Sequence, residues 1–203
     1  MLGRPPMRGV DQPEGVMREH YERLRRGDAD LPLIAGERED RLSGLDPLFA
    51  LEAGFSVLDV GCHQAFIAEA LAESGATVVH GADLHEPSLQ LARQRMARHQ
   101  AVLARVDLCE GMEGLRRELP LLPRYDVVLY LGIYHHMRRQ MAAAQVTAFI
   151  GALFPMAQRY LAIRTPAAFM EKLRQEPVMR GFRMVHRNDD NPAVSPVEIY
   201  EPI

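Results

Sequence analysis

Three aspartates, one glycine loop and a pair of adjacent histidines are the residues of this sequence best suited to chemistry. Asp59-Val60-Gly61-Cys62-His63-Gln64-Ala65 ends an apolar run and leads straight into a helical pattern. Asp83-Leu84 and Asp107-Leu108 close two further apolar runs, and Tyr130-Leu131-Gly132 closes a fourth, just ahead of Tyr134-His135-His136. A glycine after a strand lets the backbone turn tightly and approach a ligand. A carboxylate in a buried strand end must be given donors to be tolerated there. Histidine has an unperturbed pKa near neutrality, so His135 or His136 suits a general base, an effect worth about 10²–10⁴-fold in rate. Each position also has a structural alternative. Asp83 and Asp107 can cap the helices after them, His63 can line its loop, and the two histidines can open a helix and shape a pocket.

The elements that must position these residues alternate in period. SVLDVG, TVVHGAD, AVLARVDL and YDVVLYL read as buried strands, separated by the helical patterns AFIAEALAES, EPSLQLARQRMARH and a weaker one from Gly111 to Leu119. A long helix from Arg138 to about Leu153, the strand RYLAIRT, a helix from Pro166 to Gln175 and the extended runs GFRMVHR and PVEIYEP complete the pattern. The βαβ rhythm predicts an α/β fold with a doubly wound, mostly parallel seven-stranded sheet. The last two runs, joined by NDDNPAVS, form a hairpin that cannot be a crossover, so they predict an antiparallel strand at the sheet edge. In such sheets ligands bind outside the carboxyl ends of the strands, where successive connections part. All four segments would then share one rim. Residues 51–203 read as this domain. Residues 1–50 read as a tail punctuated by Gly and Pro, a short amphipathic helix from Val16 to Arg26, breaks at Pro32 and Gly36, and a second helical piece from Leu42 to Ala53 capped by Gly54.

At these residues the sequence resembles the class I S-adenosylmethionine-dependent methyltransferases. VLDVGCHQA looks like the family's first motif, GADL its second, RVDL its third and YDVVLYLGIYHH its fourth, in the right order and spacing between Ser56 and Arg164. The resemblance implies a Rossmann-like fold and S-adenosyl-L-methionine as cofactor. It implies that Asp83 accepts from the ribose hydroxyls, that Leu84 lies against the adenine, and that Asp107 accepts from the adenine amino group with Leu108 beside it. Asp59 would order the loop or take the cofactor's amino group. The loop residues Gly61, Cys62 and His63 and the strand end Tyr130-Leu131 complete the implied cofactor site, with His135 and His136 as catalytic candidates. Two glycines of the family's loop are replaced by His63 and Ala65. Ala65 is nearly as small, whereas His63 takes either an ordinary φ or the left-handed region, where histidine is enriched. A nicotinamide-dependent dehydrogenase would need G-x-G-x-x-G, which fails at His63. The fourth motif is not the Asn/Asp-Pro-Pro-aromatic form associated with methylation of amide or base nitrogens.

Composition bounds the partners. Lys and Arg number 24 against 27 Asp and Glu, for a net charge of −3, which argues against binding nucleic acid by bulk electrostatics. Cys62 and Cys109 are far apart and form no metal-ligand spacing or disulfide framework, which fits a reducing cytoplasm. The N-terminus lacks the apolar core of a signal peptide, and the uncharged stretch from Gln140 to Gln158 is too interrupted for a membrane span. The expectation is a cytoplasmic enzyme that moves a methyl group from S-adenosylmethionine to oxygen or nitrogen of a small-molecule substrate, with residues 1–50 as tail and lid. A homodimer is compatible with the sequence. Two alternatives stay open: an RNA or protein acceptor, and an inactive cofactor-binding scaffold.

Overall fold

The structure, a computed structural model, describes residues 37–192 and 194–203; the tail and first helix expected before residue 37 lie outside them. The apolar runs form β1 (Ser56–Val60), β2 (Val78–Asp83), β3 (Ala101–Arg105), β4 (Tyr125–Leu131), β5 (Ala157–Arg164), β6 (Phe182–Asn188) and β7 (Val197–Pro202). Between them lie α1 (Glu37–Leu42), α2 (Asp46–Phe49), α3 (Phe66–Glu73), α4 (Glu86–Arg95), α5 (Gly111–Glu118), α6 (Tyr134–Gln140), α7 (Ala143–Leu153) and α8 (Ala167–Arg174). The strands pair in the order β3-β2-β1-β4-β5-β7-β6, and β1 to β5 are mutually parallel.

Side chains alternate between the two faces of a strand, so each run of consecutive apolar residues feeds two cores. Leu58, Val60, Val128, Tyr130, Leu161 and Ile163 pack on one face against α5, α7 and α8. Val57, Val127, Leu129 and Ala162 pack on the other against α2, α3 and α4. Truncating any of the fully buried leucines to alanine removes about 2–5 kcal/mol, so the sheet is a stiff platform for whatever its ends carry. The chain winds outward from β1 through β2 to β3 and then returns to β4 on the other side of β1. The connections therefore part between β1 and β4, and the carboxyl ends there border a crevice.

Three expectations are corrected. The antiparallel strand is not at the edge: β7 pairs antiparallel with both β5 and β6, and β6 is outermost. Val197 to Tyr200 of β7 are all buried, whereas β6 exposes most of its side chains, so the apolar strand takes the covered place. The helix expected from Leu42 to Ala53 is instead the pair α1 and α2, broken around Gly44, which holds φ 76°. A Cβ there would stand 2.5 Å from Val197 Cγ1. The helix expected from Arg138 to Leu153 is likewise two, because Ala142 is extended and its N–H donates to Gln145 Oε1, starting α7 anew. No described helix is long and apolar enough to cross a membrane.

Candidate active site

The turn from β1 into α3 is bound to the neighbouring strand. Gly61 N–H and Cys62 N–H both donate to Ala82 O, at 2.7 and 3.0 Å, and His63 N–H donates to Asp83 Oδ2 at 2.8 Å. Gly61 holds φ 83°, and a Cβ on it would lie 2.1 Å from Ile133 Cδ1, so glycine is required both by conformation and by the side chain closing over it from the β4 end. His63 and Ala65 also take positive φ, 50° and 59°, the conformation glycine would have adopted without strain. The left-handed option expected for His63 is the one used. At Ala65 small size is the wrong criterion, because the constraint is φ.

Asp83 ends β2 with both carboxylate oxygens engaged: Oδ2 by His63 N–H and Oδ1 by His85 N–H, at 2.8 Å each. A carboxylate has about four acceptor sites, so two remain for a ligand. Leu84, directly after it, is 51% exposed, an apolar side chain left uncovered at the rim. Asp107 Oδ1 accepts from Cys109 N–H at 2.9 Å, the capping alternative open to it from sequence. Leu108 beside it packs partly against the core under α5.

Asp59 is only 4% exposed, and no described residue donates a hydrogen bond to its side chain. Burial first and the Asp83 carboxylate second push its pKa up to about 7, against the opposing pull of Arg41. A buried carboxyl with this deficit is suited to a cationic donor from outside the protein. The site thus passes a test of fit for a ligand with an ammonium group, vicinal hydroxyls and a flat apolar base.

Two implied contacts fall elsewhere. Cys62 is buried with its side chain beside Gly81, and burial drives its thiol pKa well up, so only its backbone borders the crevice. The Tyr130 side chain lies wholly in the core, donating to Met137 Sδ at 2.9 Å and packing edge-on against Phe154. Its parity along β4, shared with Val128, sends it to the face away from the glycine loop. Leu131, one residue on, is half-buried on the loop's side.

His135 and His136 open α6 immediately beyond β4, with ring centres 4.1 Å apart. His135 Nδ1 lies 3.4 Å from the hydroxyl of Thr165, a buried residue just past β5. Burial chiefly, then His136 and Arg139, lower the His135 pKa to about 4. Sequence reasoning misses Thr165, although it too sits just past a strand end, and it misses Arg164. The Arg164 guanidinium, buried, donates to Arg41 O at 2.8 Å and to Ser43 O at 2.6 Å, fastening α1 and the turn after it to the end of β5.

With strand order, glycine turn and strand-end acids established, comparisons with known proteins agree with this geometry. A family model described as a methyltransferase domain matches residues 57–155. Residues 57–155 carry a methyltransferase domain. It is similar to a ubiquinone biosynthesis O-methyltransferase of Leptothrix cholodnii, at 36% identity over 98 residues, 48% of this chain and 40% of that protein. The matched part thus spans well under half of that relative. Among solved structures, the N-methyltransferase NodS from Bradyrhizobium japonicum, bound to S-adenosyl-L-homocysteine, matches with a TM-score of 0.65 at 15% identity, over 90% of this chain and 97% of that one. The 16S rRNA methylase RmtB matches with a TM-score of 0.61 at 18% identity, over 96% and 76%. At these identities the likeness is one of fold.

Proposed function

We propose that this methyltransferase domain binds S-adenosyl-L-methionine and transfers its methyl group to oxygen or nitrogen of a small organic molecule. The observation that carries the reading is the pairing of a donor-starved buried Asp59 with Asp83, which anchors the glycine turn and keeps lone pairs free beside it. Asp59 offers its carboxylate to the cofactor's ammonium, Asp83 accepts from ribose hydroxyls, Leu84 covers the adenine, and Asp107 accepts from its amino group. The bound sulfonium supplies an electrophilic methyl with a good leaving group, so holding donor and acceptor in line can contribute up to about 7–11 kcal/mol. His135, half-buried and kept neutral, is placed to take a proton from the acceptor. A small acceptor is favoured by the net charge of −3 and by the single short α-helix, α8, between β5 and β6. Residues 1–50 act as tail and lid, with α1 as the fixed base of that lid.

Calorimetry with S-adenosyl-L-homocysteine tests the site. Asp83→Ala removes two charged hydrogen bonds to the ligand and frees the turn, so affinity should fall about 100-fold. Equal affinity in wild type and variant would remove Asp83 from the site.

A further inference from the structure

The facing surfaces of α6 and α8 gather side chains that the cofactor reading leaves unused. Phe169, half-buried in the first turn of α8, has Arg139 Cζ 5.7 Å and Lys172 Nζ 5.4 Å from its ring centre. The His135 ring lies 6.0 Å away, and Tyr134 meets the same ring edge-on at 6.5 Å. His135 and Arg139 stand four residues apart on α6, and Phe169 and Lys172 three apart on α8, so each pair shares one helix face.

What sets this cluster apart is that two cations without a carboxylate partner meet over one aromatic ring. Arg138, the neighbour of Arg139, is spent on Glu176 at 3.3 Å, and elsewhere Arg93, Arg95, Arg117, Arg183 and Arg187 each meet a carboxylate. Neither Arg139 nor Lys172 has a carboxylate within salt-bridge distance among the described residues, in a chain with more acids than bases. Lys172 is also the only lysine in the sequence. Two like charges gathered on one aromatic ring repel each other unless an anion joins them. His135 connects this patch to the rim, since its ring faces Phe169 while its Nδ1 reaches Thr165 at the end of β5.

We propose that Arg139 and Lys172, set on the Phe169 ring, bind a carboxylate or phosphate group of the methyl acceptor, so that the substrate is an anionic small molecule. This rests on the methyltransferase reading for the word acceptor, but the anion site itself does not need the cofactor. An acceptor seated by its anion here turns its remaining body past His135 toward the crevice bordered by the ends of β1 and β4. The anion sets which molecules are bound, and the strand ends act on what it presents.

The test is a titration of the full chain, without cofactor, by benzoate, phenyl phosphate and neutral benzamide, following the ring resonances of His135 and Phe169. Saturable shifts with at least one anion and none with benzamide are expected, and whichever anion binds more tightly separates carboxylate from phosphate. In Arg139→Gln/Lys172→Gln the anion affinity should fall by at least about tenfold, as loss of charged contacts requires. Affinity of the double variant for S-adenosyl-L-homocysteine should stay at the wild-type value, which also shows that the variant folds; either single substitution serves if it does not. Equal binding of benzamide, silence toward both anions, or undiminished binding in the variants would overturn the assignment. Displacement of the anions by single-stranded RNA of mixed sequence, at higher affinity, would give the patch to a polynucleotide and overturn it as well. Failure of the wild type to bind S-adenosyl-L-homocysteine would instead fail the methyltransferase reading alone.

Discussion

The carboxyl of Asp59 titrates near pH 7, and that makes cofactor binding a proton-linked event. Its ordinary value is 3.8, so between that pH and about 7 the folded chain holds a proton that the unfolded chain has lost, and stability from this group falls as pH rises through the window. A cationic ligand favours the ionised form, so binding must expel the proton below pH 7 and affinity should drop by about tenfold per pH unit there. Calorimetry in buffers of different ionisation enthalpy should show proton release in wild type and none in Asp59→Asn; a wild-type affinity flat from pH 5 to 8 would contradict the role. His135 behaves in the opposite sense. Sequence alone predicts a rate inflection near the ordinary histidine value, whereas burial first, then His136 and Arg139, move it to about 4, leaving the imidazole neutral and ready to accept a proton across the physiological range. Imidazole resonances followed against pH should show this low titration, and Arg139→Gln should raise it by removing one of the opposing charges. An unshifted curve in that variant would remove Arg139 from the environment of His135. The places of Asp59, Asp83 and Asp107 at the strand ends can be read from the sequence because each lies within two residues of the end of an apolar run. Tyr130 misleads because its place in the motif carries no information about its parity, and Ala65 because a methyl side chain says nothing about φ.

Among the elements, the loop-to-helix turns are legible and the breaks between helices are not. Proline and glycine mark ends, yet Gly44 ends α1 for a tertiary reason, the close approach of Val197 and Asn188, which no local pattern encodes. The same holds for Arg164: an arginine at the end of a buried strand reads as the point where the chain meets solvent, but here it turns back under α1. Burial lowers its pKa to about 10, a sign that desolvation offsets much of what its hydrogen bonds contribute. Arg164→Met should therefore alter global stability little while releasing the Arg41 and Ser43 carbonyls, and hydrogen exchange of residues 40–45 should accelerate by about tenfold or more, one charged hydrogen bond being worth roughly 1.5–3 kcal/mol. Protection over residues 37–50 should be the same with and without cofactor in wild type, since Arg164 fastens α1 and the turn after it to the end of β5.

At the scale of the molecule, the winding of β1 to β5 can be read from the chain because each strand–helix unit admits one hand, while the place of β7 cannot, because a hairpin fixes pairing with β6 and leaves open which member joins β5. Burial decides it. Charge is distributed in the same uneven way: in a chain of net charge −3, two cations on α6 and α8, Arg139 and Lys172, meet over one ring with no carboxylate within salt-bridge distance among the described residues. That contrast yields a measurement that separates the classes of acceptor. A protein that grips a polynucleotide neutralises many phosphates, and its binding constant then falls steeply with salt, by about 10³–10⁵ between 50 and 200 mM when roughly 6–10 contacts are made. A small anion held by Arg139 and Lys172 engages two charges, so its affinity should fall only severalfold over the same range. Filter binding of total RNA and titration of benzoate, each repeated across that salt series, should give no retained RNA beyond the lowest salt and a shallow slope for the small anion. RNA retained at 200 mM, with a steep slope below it, would replace the small-molecule acceptor with a nucleic acid and would require a basic surface larger than the one these two residues make.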